Sequence, residues 1–198
     1  MPLRPIRPTM LILLATAASF AAGCGSSRPV ASAPSAVDRW VDRQGGMLAC
    51  PDRQARLDRA VAALGRPDLT CLRTYVLGTD RPAAYSWPDG RVFVSRGLVD
   101  LLDDAELAAA IAHECGHLIA DGHVAATPPT ALTGKPAHAC GGDAEVAADR
   151  EGVALLRAAN IDPAALARVL AKLGADARLD AGIRQQVRER AELLHDIR

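Results

Sequence analysis

The pentapeptide His113-Glu114-Cys115-Gly116-His117 constrains this chain more than any other feature. It follows Glu106-Leu107-Ala108-Ala109-Ala110-Ile111-Ala112, a run of helix-forming, largely apolar residues. Asp103 and Asp104 stand where such a helix would start, and carboxylates there cap free N–H groups and complement the helix dipole. Residues four apart share a helix face, so both imidazoles can reach one cation. The spacing therefore asks for a long helix ending near Ala120 and a second element that completes the coordination. Glu114, one position along, is placed to hold a water and take its proton, and zinc would lower the acidity constant of that water towards neutrality.

Two residues compete to be the third ligand. His123 lies ten residues after His113, the spacing of an HExxHxxGxxH site. Ala120 stands where that pattern wants a turn-forming glycine, and the only methionines, Met1, Met10 and Met47, supply no downstream methionine turn. Glu145, in Glu145-Val146-Ala147-Ala148-Asp149, is the better candidate. Its predicted helix puts Asp149 one turn on, so one carboxylate can bind metal while the other accepts a hydrogen bond from a ligating imidazole. A solvated acidic face (Asp143, Glu145, Asp149, Glu151) is the plainer reading, but Ala147, Ala148 and Val153 give that helix a buried side.

The first residues read differently from the rest of the 198-residue chain. Arg4 and Arg7 precede an apolar stretch, 10–22, too short for a permanent membrane span and fitting a secretory signal over 1–23. Ala21-Ala22-Gly23-Cys24 resembles a bacterial lipobox, with Ala21 where Leu is usual, and makes Cys24 the expected lipidated N-terminus. An ordinary cleaved signal with an incidental cysteine is the alternative. A Ser-, Pro- and Ala-rich linker follows, so the expected division is signal 1–23, lipid-anchored linker 24–37 and a domain over 38–198. About 160 residues suffice for one domain with a genuine core. With 23 basic and 23 acidic side chains the formal charge is zero, and no basic stripe or aromatic cluster suggests nucleic acid.

Beyond Cys24 stand Cys50, Cys71, Cys115 and Cys140, an even number that suggests disulfides in an exported chain. Sequence proximity favours Cys50 with Cys71 and Cys115 with Cys140, although three connectivities are possible. No CxxC pair is present, which argues against a cysteine-based zinc site.

Helical spacing predicts a helix over 52–64, stopped by Gly65. Strands are expected over 72–77, 83–87 and 91–95, the last two joined by the turn Pro88-Asp89-Gly90. The stretch 121–143 reads as a long loop, possible as an inhibitory lid. Helices follow over 144–159, 163–173 and from 180 onward, with Asp162 as an N-cap. A helix, a few strands and then helices make an α+β domain, mostly helical, with a small sheet beside the metal helix.

Three segments in this order resemble peptidase family M48, whose members include HtpX-like, Oma-like and CAAX prenyl protease branches. They are the stretch Ala84-Tyr85-Ser86-Trp87-Pro88-Asp89-Gly90-Arg91-Val92-Phe93-Val94-Ser95-Arg96-Gly97-Leu98, the run from Glu106 through His117, and Glu145 to Asp149. The resemblance implies a zincin-like fold in which His113, His117 and Glu145 bind Zn2+, Glu114 is the general base and Asp149 supports a ligand. It also implies that the strand 91–95 is the edge on which an extended or unfolded polypeptide docks. The His-Pro and arginine that members carry near the C-terminus are matched only by Arg188 and Arg190 as candidates for steadying the oxyanion. No membrane helix of the HtpX-like kind is evident, so a tethered member is implied. The expected function is a zinc-dependent endopeptidase acting on envelope proteins. It would be anchored by lipid to the outer membrane, facing the periplasm, because Gly25 rather than an acidic residue follows Cys24. The alternative is a zinc-binding envelope chaperone or assembly factor with little proteolytic activity.

Overall fold

The computed structural model describes residues 35–66, 69, 72–120 and 142–195. The signal, Cys24, Cys71, His123, Cys140 and most of the expected loop over 121–143 lie outside the described residues.

The first element, α1 (Ala36–Arg43), starts two residues before the expected start of the domain. Local chemistry explains it. The Ser35 hydroxyl accepts from the Asp38 N–H at 3.1 Å and the Asp38 carboxylate accepts from the Ser35 N–H at 2.8 Å, a reciprocal capping box. Val37 and Val41, four apart, then bury one face against the sheet. Trp40, Tyr75, Tyr85, Trp87 and Phe93, five of the chain's six aromatic side chains, gather there.

Helix α2 (Pro51–Ala63) opens on a proline in the first turn and ends near Gly65, whose φ of +61° suits a residue without Cβ. Three strands follow: β1 (Arg73–Leu77), β2 (Ala84–Ser86) and β3 (Arg91–Ser95). Their order is β1-β3-β2, with β1 parallel and β2 antiparallel to β3. The expectation that 91–95 forms the open edge is therefore overturned. Val92-Phe93-Val94 carries no polar alternate and is buried on both faces, the pattern of a central strand. The edge beside the metal helix is the three-residue β2. The outer side of β1 is partly covered, since Met47 bridges to Leu77 and the Leu48 N–H bonds to the Val76 carbonyl at 2.8 Å.

Helix α3 (Arg96–Leu101), which the periodicity did not announce, is capped by the Ser95 hydroxyl accepting from the Leu98 N–H. Arg56 of α2 satisfies its far end by donating to the Val99 and Leu102 carbonyls at 2.7 and 2.9 Å. Helix α4 (Asp104–Ala120) is buried from Glu106 through Ala112 and runs through the core between the sheet and the later helices. Its start is held by Glu106, 2 % exposed, whose carboxylate accepts from the Asp103 N–H at 2.9 Å and from Lys172 at 2.6 Å. A buried carboxylate needs such partners. Helix α5 (Gly142–Ala158) packs along α4, and α6 (Ala164–Ala175) pairs with α7 (Ala181–His195) on the other side of the cleft. The expected N-cap, Asp162, stands one residue before the observed one, Pro163, and its carboxylate accepts from the Ala164 N–H. The result is the expected mostly helical α+β domain with a small sheet. Among the described residues no helix is long and apolar enough to cross a membrane.

No cysteine pair is seen among the described residues. The Cys50 sulfur accepts from Arg53 at 3.1 Å, and its expected partner, Cys71, lies outside the described residues. Cys115 is fully buried in the core on the far side of α4, and its expected partner, Cys140, lies outside the described residues.

Candidate metal centre

Two glycines bring α4 and α5 together. A Cβ at Gly116 would stand 2.3 Å from the Ala148 carbonyl oxygen, and one at Gly152 would stand 3.2 Å from the His113 Cα. At Gly116 only hydrogen allows the helices to lie so close, and at Gly152 a Cβ would be a tight fit. The approach sets Glu145 and Asp149, one turn apart on α5, against the imidazoles of α4.

Glu145 faces both histidines. Its two carboxylate oxygens lie 3.4 Å from His113 Nε2 and 3.5 Å from His117 Nε2. The imidazole rings meet edge to face with centroids 4.8 Å apart. One donor atom from each of the three residues falls within 4.8 Å of the others. Tetrahedral zinc with ligands about 2.0–2.1 Å away separates neighbouring donors by about 3.4 Å, so both histidine–carboxylate spacings suit it. Asp149, 3 % exposed, lies behind the site with Oδ1 2.9 Å from His113 Nδ1. A proton held on Nδ1 leaves Nε2 as the ligand atom.

Arg190 of α7 closes the arrangement. It donates to both oxygens of Asp149, at 2.9 and 2.7 Å, and to Glu145 at 2.5 Å. The fork thus fixes the supporting carboxylate and the ligating one at once. Arg190, named from the sequence only as an oxyanion candidate, directs these donors to carboxylates instead. Arg188 packs against Gly174 of α6. Burial opposes charge on Glu145, but His113 and Arg190 outweigh it and pull its pKa down to about 2. Burial likewise opposes a charged His113, but Asp149 and Glu145 push its pKa up to about 9.

Glu114 is 4 % exposed and lines the same cleft as His113 and Glu145, without belonging to the three-donor group. With His113 neutral, as a metal ligand must be, Glu114, Glu145 and Asp149 bring three negative charges to the site, against one on Arg190. A divalent cation would balance the remaining two. The donor set and the charge count both fit zinc.

Five of these residues were named from the sequence, and the structure brings them to one place. The clamp was missed, because an arginine 41 positions from its carboxylate partner has no local signature. Any signal was slight: α7 carries several arginines, and a helix packed beside two buried carboxylates has to offer a cation.

Residues 48–134 match the family model of Peptidase family M48. A protease HtpX homolog of Acidiphilium cryptum (strain JF-5) is 34% identical over 110 residues, covering 49% of this chain and 38% of that relative. The chain thus spans well under half the relative's length. The family match takes in His113, Glu114 and His117 and stops before α5, so Glu145, Asp149 and Arg190 rest on the geometry. Where the sequence match and the converging donors meet, on α4, the chain is similar to peptidase family M48.

Proposed function

We propose that this chain is a zinc-dependent endopeptidase that hydrolyses peptide bonds in extended or unfolded polypeptides of a bacterial cell envelope. The observation that carries this reading is the convergence of His113, His117 and Glu145 with Glu114 at the adjacent helix position, facing the same cleft. The match of residues 48–134 to the model of peptidase family M48 and the likeness to a relative named as a protease support it.

His113, His117 and Glu145 would hold zinc, which when bound supplies positive charge to polarise a carbonyl and acidify a water. Glu114 takes the proton of the attacking water and returns it to the leaving amine, so the carboxylate is regenerated each turnover. Asp149 keeps His113 in one tautomer, and Arg190 keeps both α5 carboxylates from turning away. The edge strand β2, with Ala84 and Tyr85 on the cleft wall, offers backbone to an extended substrate. Lipidation of Cys24 would tether the domain to the outer membrane, facing the periplasm; a Cys24→Ser chain that still fractionates with membranes would remove that part of the reading.

Zinc content and cleavage of an unfolded protein, wild type against Glu114→Gln, test the mechanism. The variant should keep about one zinc per chain and its fold, and lose hydrolysis by at least about 10²-fold. A wild-type protein that binds zinc yet cleaves nothing would favour the chaperone or assembly-factor reading.

A further inference from the structure

The two walls of the cleft are tied together at one end. On one side Arg81 and Ala83 line it just before β2 begins, and on the other Leu179 lines it from the turn between α6 and α7, residues 176–180. The Arg81 guanidinium donates to the Asp180 carboxylate at 2.6 Å, and the Arg178 guanidinium donates to the Asp80 carbonyl at 2.8 Å. Two links therefore cross from residues 80–81 to residues 178–180 and close this end of the cleft.

The two sides of the tie are built differently. The loop over 79–83 is fixed to the sheet and to the start of α3. Its Ala83 N–H donates to the Ser95 hydroxyl at 2.9 Å, and the Asp80 carboxylate accepts from Arg96 at 2.5 Å. The Asp80 carbonyl lies so near Gly97 that no Cβ would fit between them. The turn is fixed mostly to itself. The Asp176 carboxylate accepts from the Arg178 guanidinium at 2.6 Å, and Arg184 donates to the Leu179 carbonyl at 2.8 Å. Leu179 is buried, yet it belongs to neither the aliphatic nor the aromatic core. The links from turn to loop are polar and open to solvent: the Arg81 and Asp180 side chains are 46 and 76 % exposed. An exposed ion pair is weak, and salt screens it.

The tie stands in the path of a long substrate. Strand β2 offers three residues of edge, about 10 Å at about 3.3 Å per residue. A chain lying on that edge and continuing past Ala84 reaches Arg81 within about three more residues. A short peptide ends before the tie. An internal stretch of polypeptide has to pass it, and of the two sides the turn is the one with freedom to move. Arg190 lies farther along α7, where Val187 and Leu194 are buried in the aliphatic core, so the turn can swing without carrying the clamp on Glu145 and Asp149 with it.

We propose that the Arg81–Asp180 and Arg178–Asp80 links form a salt-sensitive gate. Closed, it restricts the cleft to short peptides; opened by the 176–180 turn swinging away from the loop, it admits an internal stretch of polypeptide. The choice of substrate rests on the peptidase reading, and the motion does not.

The full, zinc-loaded chain is compared with Asp180→Asn, with Arg178→Ala and with both together, all on the exposed turn. Gln185→Ala, on the solvent face of α7, is the control. Cleavage of a hexapeptide and of a reduced, carboxymethylated protein is followed at about 20 and about 300 mM NaCl. In wild type the ratio of kcat/KM, unfolded protein to hexapeptide, should rise at least about twofold with salt. Each single variant should show a raised ratio already at low salt, the double variant should no longer respond to salt, and the control should follow wild type. Hydrogen exchange reads the motion without activity. Amides over 177–183 should exchange at least about twofold faster in the variants, with those over 79–83 and the zinc content unchanged.

Unchanged exchange in the double variant would overturn the gate. So would a ratio that neither salt nor the variants move, or an equal gain on both substrates; cleavage lost in Glu114→Gln would then leave the peptidase standing. If wild type cleaves neither substrate, the same two, labelled with fluorescein, are titrated by anisotropy. Tighter binding of the unfolded protein alone in the variants would overturn the peptidase and leave a gated cleft, and binding unmoved by the variants would overturn both.

Discussion

His113 sits against two carboxylates, and that decides where its proton goes. Burial alone would strip the ring of its charge, yet Asp149 and Glu145 hold the proton so that the pKa is pushed from 6.5 up to about 9. A metal ligand must be neutral, so zinc has to displace this proton. Below pH 9 zinc binding therefore releases a proton, and the apparent affinity should rise by roughly tenfold per pH unit until it levels near pH 9. Competition with a chromophoric chelator between pH 6 and 9 reads this slope, and a flat profile would remove His113 from the ligand set. The metal-free fold has its own dependence, whose sign follows from the two shifts. The raised His113 pKa stabilises the fold below pH 6.5 and is lost as pH rises through 9. The Glu145 pKa, lowered from 4.5 to about 2, stabilises above 4.5 and is lost as pH falls through 2. These residues differ in how visible they were beforehand. His113, Glu114 and His117 are legible because one helix turn fixes their mutual geometry, and Asp149 follows from Glu145 by the same rule. Arg190 is not legible, since its partners are chosen by how α7 docks rather than by any spacing along the chain.

Between elements, the α4–α5 crossing governs the site, and Gly116 governs the crossing. An alanine Cβ there would meet the Ala148 carbonyl oxygen at 2.3 Å, well inside any tolerated contact. Backbone cannot swing aside as a side chain can, so α5 must retreat. Gly116→Ala should cost about 1–3 kcal/mol and carry Glu145 and Asp149 away from the imidazoles, lowering zinc affinity by at least about tenfold. Gly182→Ala, on α7 with nothing within 4 Å of its Cβ, is the control and should be neutral or slightly stabilising. Thermal unfolding and zinc titration of both variants check this; equal zinc affinity in Gly116→Ala would show that α5 moves without disturbing its carboxylates. The same scale explains what the sequence placed well and what it did not. Eight of the ten described elements were placed from the sequence close to their observed bounds. The sheet order does not, because pairing β1 directly with β3 is a non-local choice that no pattern within either strand encodes. The buried run Val92-Phe93-Val94 held the clue that β3 is central, but an edge role was assigned to it by resemblance.

Across the whole molecule, the zinc site adds polar links to elements that already share a core. The aromatic cluster holds α1 to one face of the sheet, and the larger aliphatic core runs through α2, α4, α5, α6 and α7. The polar contacts that join α5 to α7 run through Arg190, Glu145 and Asp149. Metal bound to α4 and α5 would fix those carboxylates, and the carboxylates fix the guanidinium of α7. Chelation should therefore act unevenly. With free zinc at about a thousand times its dissociation constant, the metal adds about 4 kcal/mol to stability. For a chain of this size that corresponds to a fall in Tm on the order of 10 °C when zinc is removed. The loss should be local before it is global. Hydrogen exchange with and without EDTA should show faster exchange along α5 and α7, whose polar link to each other passes through the site. Amides of β1, β3 and α2 should keep their protection, because their hydrogen bonds and packing do not pass through the site. Faster exchange spread evenly over the sheet and α2 would mean that the metal supports the whole core, and unchanged α7 would mean that the Arg190 clamp holds without it.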